Sequence, residues 1–362
     1  MSDILVDPFG RLHNYVRISV TERCNLGCQY CNPGRVEKTV KGNPLTFDEI
    51  ERIVRVLAEM GVTKVRLTGG EPLIRPNLEE LVGRLRAISG IERVGLTTNG
   101  LLLAPKVQKL RDAGLTDLNV SLDSLVPERY SRITGGGDVS KVLHALAAGF
   151  KAGFEILKLN MVLMKGVNDD EIESFLQLTQ KYPLHVRFIE YMPMGHDING
   201  WEAGYMPLDG ILERCAKAGF YLEADPDSGR TTDEPTEKAA DSGPAIYFRI
   251  QGAAGKFGLI RPVSQHFCNS CNRLRITANG HVKPCLFWNE ELYIRPYIAQ
   301  SELLKQLFLR ALEAKPGQHL MMDQPGTKPP LKATRRLMSQ IGGEKTIERR
   351  FNVSGGIGCS RE

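Results

Sequence analysis

Six of the eight cysteines fall into two triads, Cys24, Cys28 and Cys31 in the string CNLGCQYC and Cys268, Cys271 and Cys285 far downstream, leaving Cys215 and Cys359 outside. Three and three makes a poor disulfide framework, and thiols this closely spaced in a cytosolic chain of this length serve as metal or cluster ligands. No fourth cysteine lies near the first triad, so its simplest chemistry is a four-iron cluster whose last iron stays open to a non-protein ligand. Asn32 rather than histidine follows Cys31, which excludes a haem attachment site, and the spacing fits a structural zinc knuckle poorly. The second triad, C-x2-C with a third cysteine after 13 intervening residues, leaves two readings open: a second cluster, or zinc completed by His266 or His281. Beside it, Arg273 and Arg275 stand two apart on a strand-like segment and project to one face, with Leu274 on the other. Paired guanidinium forks are the side chains best matched to phosphate.

These groups need a scaffold that brings distant loops together. Strand-like segments at 14–20, 64–68, 92–98, 118–122, 156–163 and 185–191 alternate with helix-period segments. Thr46 and Glu49 form a capping box before Ile50, Ile53, Val54 and Leu57, with Gly61 after the last turn; further helices are expected at 77–89, 104–113, 140–152, 169–182 and 301–314. Such alternation requires a parallel sheet. Along the fifth segment Leu157, Leu159, Met161 and Leu163 share one face and Lys158 and Asn160 the other; Arg17 with Ser19 and Arg66 with Thr68 repeat the polar face. A filled barrel core would put branched apolar side chains there, so the pattern favours a barrel with a functional lumen. The expected fold is α/β, a partial (βα)6 TIM-type barrel followed by a C-terminal region of short strands and helices around the second triad. The boundaries expected are a barrel over 1–222, an acidic loop over 223–243 (seven acidic and two basic residues between Glu223 and Asp241), a C-terminal region over 244–343 and an extension over 344–362. Cys215 reads as a buried structural thiol and Cys359 as an exposed one.

Composition agrees with an ordinary globular enzyme: 362 residues with 42% hydrophobic, 25% charged and 7% aromatic side chains exclude the disordered, collagenous and coiled-coil classes. No apolar run approaches the ~18 residues of a membrane span, and Asp3 and Asp7 interrupt any secretory signal. A cytoplasmic protein without a membrane role is expected. The net charge of +5 is too small to demand nucleic acid but suits an anionic small molecule. Five cations, Arg17, Arg66, Lys158, Arg273 and Arg275, would face the lumen, and pairing with carboxylates such as Glu71 would account for one or two of them.

The C-x3-C-x2-C string after the first strand resembles the signature of radical S-adenosylmethionine enzymes. Gly69-Gly70-Glu71-Pro72, Thr97-Thr98-Asn99-Gly100 and Ser121-Leu122-Asp123 follow at successive strand ends, where a barrel places its site. The text PVSQHFCNSCNRLRITANGHVKPCLF, with KLNMVLMKGVNDDE, RFIEYMPMG and MSQIGG, is similar to one family of these enzymes, the GTP 3′,8-cyclases, over about residues 10–343. The resemblance implies a first 4Fe–4S cluster on Cys24, Cys28 and Cys31, with S-adenosylmethionine contacted by Tyr30, Gly69, Gly70, Glu71, Ser121 and Met192. It implies a second 4Fe–4S cluster on Cys268, Cys271 and Cys285, whose open iron binds guanine. GTP would be held by Arg17, Arg66, Thr97, Lys158, Arg273, Leu274 and Arg275, with Arg17, Arg273 and Arg275 as catalytic residues. Met192 by itself reads as core. In the implied reaction an adenosyl radical takes hydrogen from ribose C3′, the C3′ radical attacks guanine C8, and reduction gives 3′,8-cyclo-7,8-dihydro-GTP on the way to molybdopterin.

Implied partners are a flavodoxin- or ferredoxin-type reductant, cyclic pyranopterin monophosphate synthase downstream, and a second copy in a homodimer. The family's double glycine matches Gly342 and Gly343, which would reach into the site, with Gly355 and Gly356 as a weaker match. Two other functions compete: a radical peptide maturase with an auxiliary cluster, and a zinc-stabilised nucleic-acid-binding protein. The arginine pair suits phosphate better than peptide, and the second triad has fewer cysteines than maturase auxiliary regions carry.

Overall fold

The computed structural model describes residues 4–31, 43–154, 157–194, 201–223, 243–319 and 338. Six parallel strands follow in chain order, β1 (Tyr15–Ser19), β2 (Lys64–Thr68), β3 (Arg93–Thr98), β4 (Asp117–Ser121), β5 (Leu157–Leu163) and β6 (Leu184–Glu190). Helices α1 (Phe47–Glu59), α2 (Leu78–Arg86), α3 (Val107–Asp112), α4 (Pro127–Thr134), α5 (Val139–Lys151) and α6 (Ile172–Lys181) connect them. The capping box of α1 is formed: Glu49 N donates to Thr46 Oγ1 at 3.1 Å and Thr46 N to the Glu49 carboxylate at 2.7 Å. Helix α4, opened by Pro127 in its first turn, is too short to have announced itself by periodicity.

Beyond β6 come α7 (Trp201–Gly204), α8 (Gly210–Lys217), β7 (Leu222–Glu223), β8 (Ile246–Ile250), β9 (Lys256–Ile260), β10 (Arg273–Ile276), β11 (His281–Lys283), β12 (Leu292–Tyr293) and α9 (Ser301–Glu313). These strands extend the same sheet at both ends, giving the order β12-β11-β10-β1-β2-β3-β4-β5-β6-β9-β8-β7. Because β10 runs parallel to β1 and β9 parallel to β6, eight parallel strands lie side by side, flanked by antiparallel ones. The result is an open barrel whose last walls come from the C-terminal part of the chain.

The two faces are chemically distinct. Val16, Ile18, Leu67, Leu96, Val120, Leu159, Phe188 and Leu274 are buried in one continuous apolar core, whose removal from water stabilises each such side chain by roughly 1.5–3 kcal/mol. The alternate residues form the polar lumen, with Lys158 and Asn160 half-buried between the fully buried Leu157, Leu159 and Met161 as the period-two pattern requires. Leu274, expected at the substrate, therefore points its side chain away from the lumen and into the core. Cys215, on α8, is fully buried as expected. Nearly all of the acidic stretch, the double glycine Gly342-Gly343, Gly355, Gly356 and Cys359 lie outside the described residues.

Candidate active site

The loop carrying Cys24, Cys28 and Cys31 leaves β1 and lies directly on the loop that leaves β2. Gly70 N donates to Thr21 O and Glu71 N to Arg23 O, both at 2.8 Å. A Cβ on Gly69 would fall on the Thr21 carbonyl and one on Gly70 on the Arg23 carbonyl. The close approach that requires these glycines is thus to the cysteine loop itself, and the resemblance alone had placed it at the cofactor. Gly70→Ala is expected to push the two loops apart, seen as faster alkylation of Cys24, Cys28 and Cys31 in the metal-free protein with Cys215 still protected; unchanged rates would count against this packing.

Glu71 is 1% exposed and its carboxylate accepts from Leu73 N at 3.0 Å, Thr98 Oγ1 at 2.7 Å and Asn99 N at 2.7 Å. It ties the β2 and β3 loops together and pairs with none of the five expected lumen cations. Asn99 passes the tie on, donating to Asn25 Oδ1 at 2.8 Å and to Cys24 Sγ at 3.9 Å. On the other side Tyr30 donates its hydroxyl to Asp123 Oδ2 at 2.7 Å, and Asp123 Oδ1 accepts from Val162 N at 2.9 Å. Burial pushes the Asp123 carboxyl up to about 6 against these two hydrogen bonds. Burial also raises the Cys24 and Cys28 thiols, with Glu71 acting on Cys24 and Asp123 on Cys28 in the same direction. Ser121 sits half-buried at the end of β4.

Deeper in the lumen, Arg17 stands opposite Arg66 on one side and Arg275 on the other. Gly95 faces Arg66 across β2 and β3, and any Cβ there would collide with the guanidinium. With that space open, Arg66 donates to Tyr15 Oη at 2.7 Å and Leu96 O at 3.2 Å and reaches within 3.9 Å of Asp117. Asp117 is the carboxylate of this floor. Arg93 donates to both its oxygens, and Lys158 Nζ lies 3.7 Å away. Burial raises the Asp117 carboxyl, but Arg66, Lys158 and Arg93 outweigh it and hold the group well below the usual range. Burial, with Arg187 adding to it, pushes the Lys158 ammonium down to about 7 against Asp117. Burial lowers Arg17 to about 9, opposed by Tyr15 and reinforced by Arg275 and Arg66. Arg187, also buried here, donates to Asn160 Oδ1 at 2.8 Å. Asp117, Gly95 and Arg187 were not singled out from the sequence, although their lumen phase follows from that of Asn119, Thr97 and His185.

The second triad lies beside β10. Cys268 opens a 3-10 turn (Cys268–Ser270), and Lys315 Nζ donates to Cys271 Sγ at 3.6 Å. Burial raises the Cys271 thiol, but Arg273, Lys315 and Arg275 overcome it and bring it to about 6. Arg273 also lies over the Phe267 ring, 4.8 Å from its centre. Met192 packs on both sides, with Tyr30 and Val263 in one apolar cluster and with Cys285, Phe287 and Met338 in another. It therefore lies between the two triads. Met338 begins the MSQIGG string.

Among the described residues no three Cys, His, Asp or Glu side chains are grouped as ligands of a single metal ion, although the thiols within each triad feel one another electrostatically. Thiols that act on one another in this way are near enough to share one cluster, each on its own iron. His281 Nδ1 lies 3.0 Å from Asn279 Oδ1, and the His266 ring packs edge-on against that of His319. In the lumen, Thr97 Oγ1 and Asn119 Oδ1 are buried without a hydrogen-bond partner. Buried polar atoms of this kind are sockets for a polar ligand.

Residues 18–179 match the Radical SAM superfamily and residues 184–321 the Molybdenum Cofactor Synthesis C family. A GTP 3′,8-cyclase of Listeria monocytogenes is 46% identical, over 94% of this chain and 99% of its own. Those of Limosilactobacillus fermentum, at 44% over 94% and 99%, and Geobacter sulfurreducens, at 44% over 88% and 94%, are similar to it as well. Among solved structures, Streptococcus suis SuiB bound to S-adenosylmethionine superposes with TM-score 0.56 at 16% identity, covering 86% of this chain and 69% of that one. Native anSMEcpe with bound AdoMet gives TM-score 0.54 at 15% identity over 85% and 82%. Both share the fold.

Proposed function

The chain belongs to the GTP 3′,8-cyclase family of radical S-adenosylmethionine enzymes, and from that premise we propose which of its residues carry the reaction. Its activity is the conversion of GTP to (8S)-3′,8-cyclo-7,8-dihydroguanosine 5′-triphosphate, the first step of molybdopterin biosynthesis, a lyase reaction using S-adenosylmethionine and a 4Fe–4S cluster. Family membership replaces the maturase and zinc-protein readings.

Cys24, Cys28 and Cys31 would hold the first cluster, in a loop fixed by Gly69, Gly70, Glu71 and Asn99 on one side and by the Tyr30–Asp123 hydrogen bond on the other. When bound, the cluster and S-adenosylmethionine supply the one-electron chemistry and the hydrogen-abstracting radical. Ser121 and Met192 would contact S-adenosylmethionine, whereas the Glu71 carboxylate serves three protein donors and acts by holding the loops. We place a second 4Fe–4S cluster on Cys268, Cys271 and Cys285. GTP would lie between the two, its phosphates met by Arg17, Arg66, Lys158, Arg273 and Arg275 and its polar edges by Thr97 and Asn119. Leu274 would contribute its backbone alone. Gly342 and Gly343 are kept as substrate-contacting residues on the strength of Met338, four residues before Gly342, which packs on the same Met194–Phe287 cluster as Cys285. The other implied partners are retained: a flavodoxin- or ferredoxin-type reductant, cyclic pyranopterin monophosphate synthase as the next enzyme, and a homodimer, in the cytoplasm. No described helix is long and apolar enough to cross a membrane.

The observation that carries this assignment is the run of mutually repelling lumen cations, in which Arg17 feels Arg275, Arg66 and Arg273 and Lys158 feels Arg187 and Arg66, while Asp117 reaches Arg66, Lys158 and Arg93 alone among them. Such an excess is costly unless a polyanion completes it. Anaerobic incubation with GTP, S-adenosylmethionine and a reductant, followed by product identification, tests the activity. The arginine pair has its own test. Arg273→Ala and Arg275→Ala are each expected to weaken GTP binding by about 2–5 kcal/mol and guanosine binding by much less, measured by calorimetry. Equal losses for nucleotide and nucleoside would assign these side chains to the base or to the fold.

A further inference from the structure

Lys315 is almost fully buried just after α9, and its ammonium meets three acceptors: His13 Nε2 at 2.7 Å, Arg273 O at 2.8 Å and Cys271 Sγ at 3.6 Å. An ammonium has three protons, so each is used and the direction toward Cys271 is fixed. His13 Nδ1 lies 2.9 Å from the Arg11 carbonyl, an acceptor only. That nitrogen therefore carries the proton, leaving Nε2 to accept from Lys315. Arg11 secures the same corner, donating to Asp7 at 2.5 Å and to the carbonyls of Cys268, Pro316 and Gly317 at 2.8 Å each. Two segments about 300 residues apart in the chain are thus locked together around one thiol triad.

The surroundings of the first triad are of opposite sign, with Glu71 and Asp123 as its charged neighbours and Asn99 as a neutral donor to Cys24. Reduction of a 4Fe–4S cluster adds one electron and no proton, and the added negative charge is spread over its sulfurs. Hydrogen bonds and positive charge at those sulfurs favour the reduced form. We propose that Lys315, oriented by His13, is a positioning residue that stabilises the reduced state of the second cluster through its hydrogen bond to Cys271. The electron comes from the external reductant, and Lys315 keeps its proton throughout. This rests on the assignment of a second cluster to Cys268, Cys271 and Cys285.

The test is a poised redox titration of the full-length reconstituted protein followed by electron paramagnetic resonance, with iron and acid-labile sulfide counted in every sample. Cys268→Ala identifies the second cluster's signal. Lys315→Met is expected to keep both clusters and shift the second midpoint to lower potential while leaving the first in place. Lys315→Gln, a neutral donor, should fall between, and Lys315→Arg should recover most of the shift. If the methionine variant sheds the cluster, the glutamine and arginine variants carry the comparison. An unmoved second midpoint with both clusters present overturns the proposal, as does loss of that cluster from the methionine and glutamine variants alike, which would make Lys315 part of the seat. A wild-type protein holding iron and sulfide for one cluster, indifferent to Cys268→Ala, overturns the second-cluster assignment itself.

Discussion

Cys24→Ser is expected to abolish cleavage of S-adenosylmethionine, whereas Cys268→Ala is expected to retain most of that cleavage and lose the cyclised product altogether. The reason is that the two triads rest on separate supports. The first is held by the Glu71 carboxylate through Thr98 and Asn99 and by the Tyr30–Asp123 hydrogen bond, none of which touches residues 268–285. The second is held by Arg11 and Lys315. The two meet in the pairing of β10 with β1 and in apolar contact through Met192, neither of which depends on the thiol removed. Removing one ligand should therefore disable one cluster and leave the loops of the other standing. Anaerobic assays of 5′-deoxyadenosine and of the cyclised nucleotide separate the two outcomes. Cyclised product from the Cys268→Ala protein would sink the role given to the second triad.

Much of this architecture can be read from local sequence, because its signals act over a few residues. The Thr46–Glu49 box, the alternation of leucines with Lys158 and Asn160 and the chain order of the strand-end motifs each report one element or one face. Pairing between strands far apart in sequence leaves no such trace. The insertion of β10 beside β1 depends on contacts across most of the chain, and that of β9 beside β6 spans two helices and the acidic stretch, so a C-terminal region that looks like an appendage turns out to complete the barrel wall. Gly69, Gly70 and Glu71 show a second limit. Their residue types announce close approach and a carboxylate with a task, but the partners, Thr21, Arg23, Thr98 and Asn99, are known only once the loops are brought together. Lys315, just past the end of α9, carries no sequence signal of burial, and it is buried because His13, Cys271 and the Arg273 carbonyl are there to receive its protons.

Asp117→Asn is expected to destabilise the protein by about 3–5 kcal/mol, the usual cost of leaving buried charge uncompensated. The amide keeps an oxygen for one donor but turns its NH2 toward Arg93 and removes the charge that Arg66 and Lys158 share within 3.9 Å and 3.7 Å. A triphosphate should restore part of this loss, since it brings the missing negative charge and binds only the folded lumen. GTP should therefore raise the unfolding midpoint of the variant more than that of the wild type. The pH dependence follows the same group. The folded-state carboxyl of Asp117 is held below its ordinary value, so its contribution is complete above the unfolded value of about 4 and fades as pH falls below that. The wild type and the variant should thus differ most near neutral pH, with the gap only beginning to narrow at pH 3.5 and closing in stronger acid, below the depressed folded-state value. Chemical denaturation at pH 7 and at pH 3.5, with and without GTP, measures both effects. Equal stabilisation of the two proteins by GTP would mean that the phosphates bind away from this floor, while equal stability without ligand would mean that Asp117 does not balance its cations.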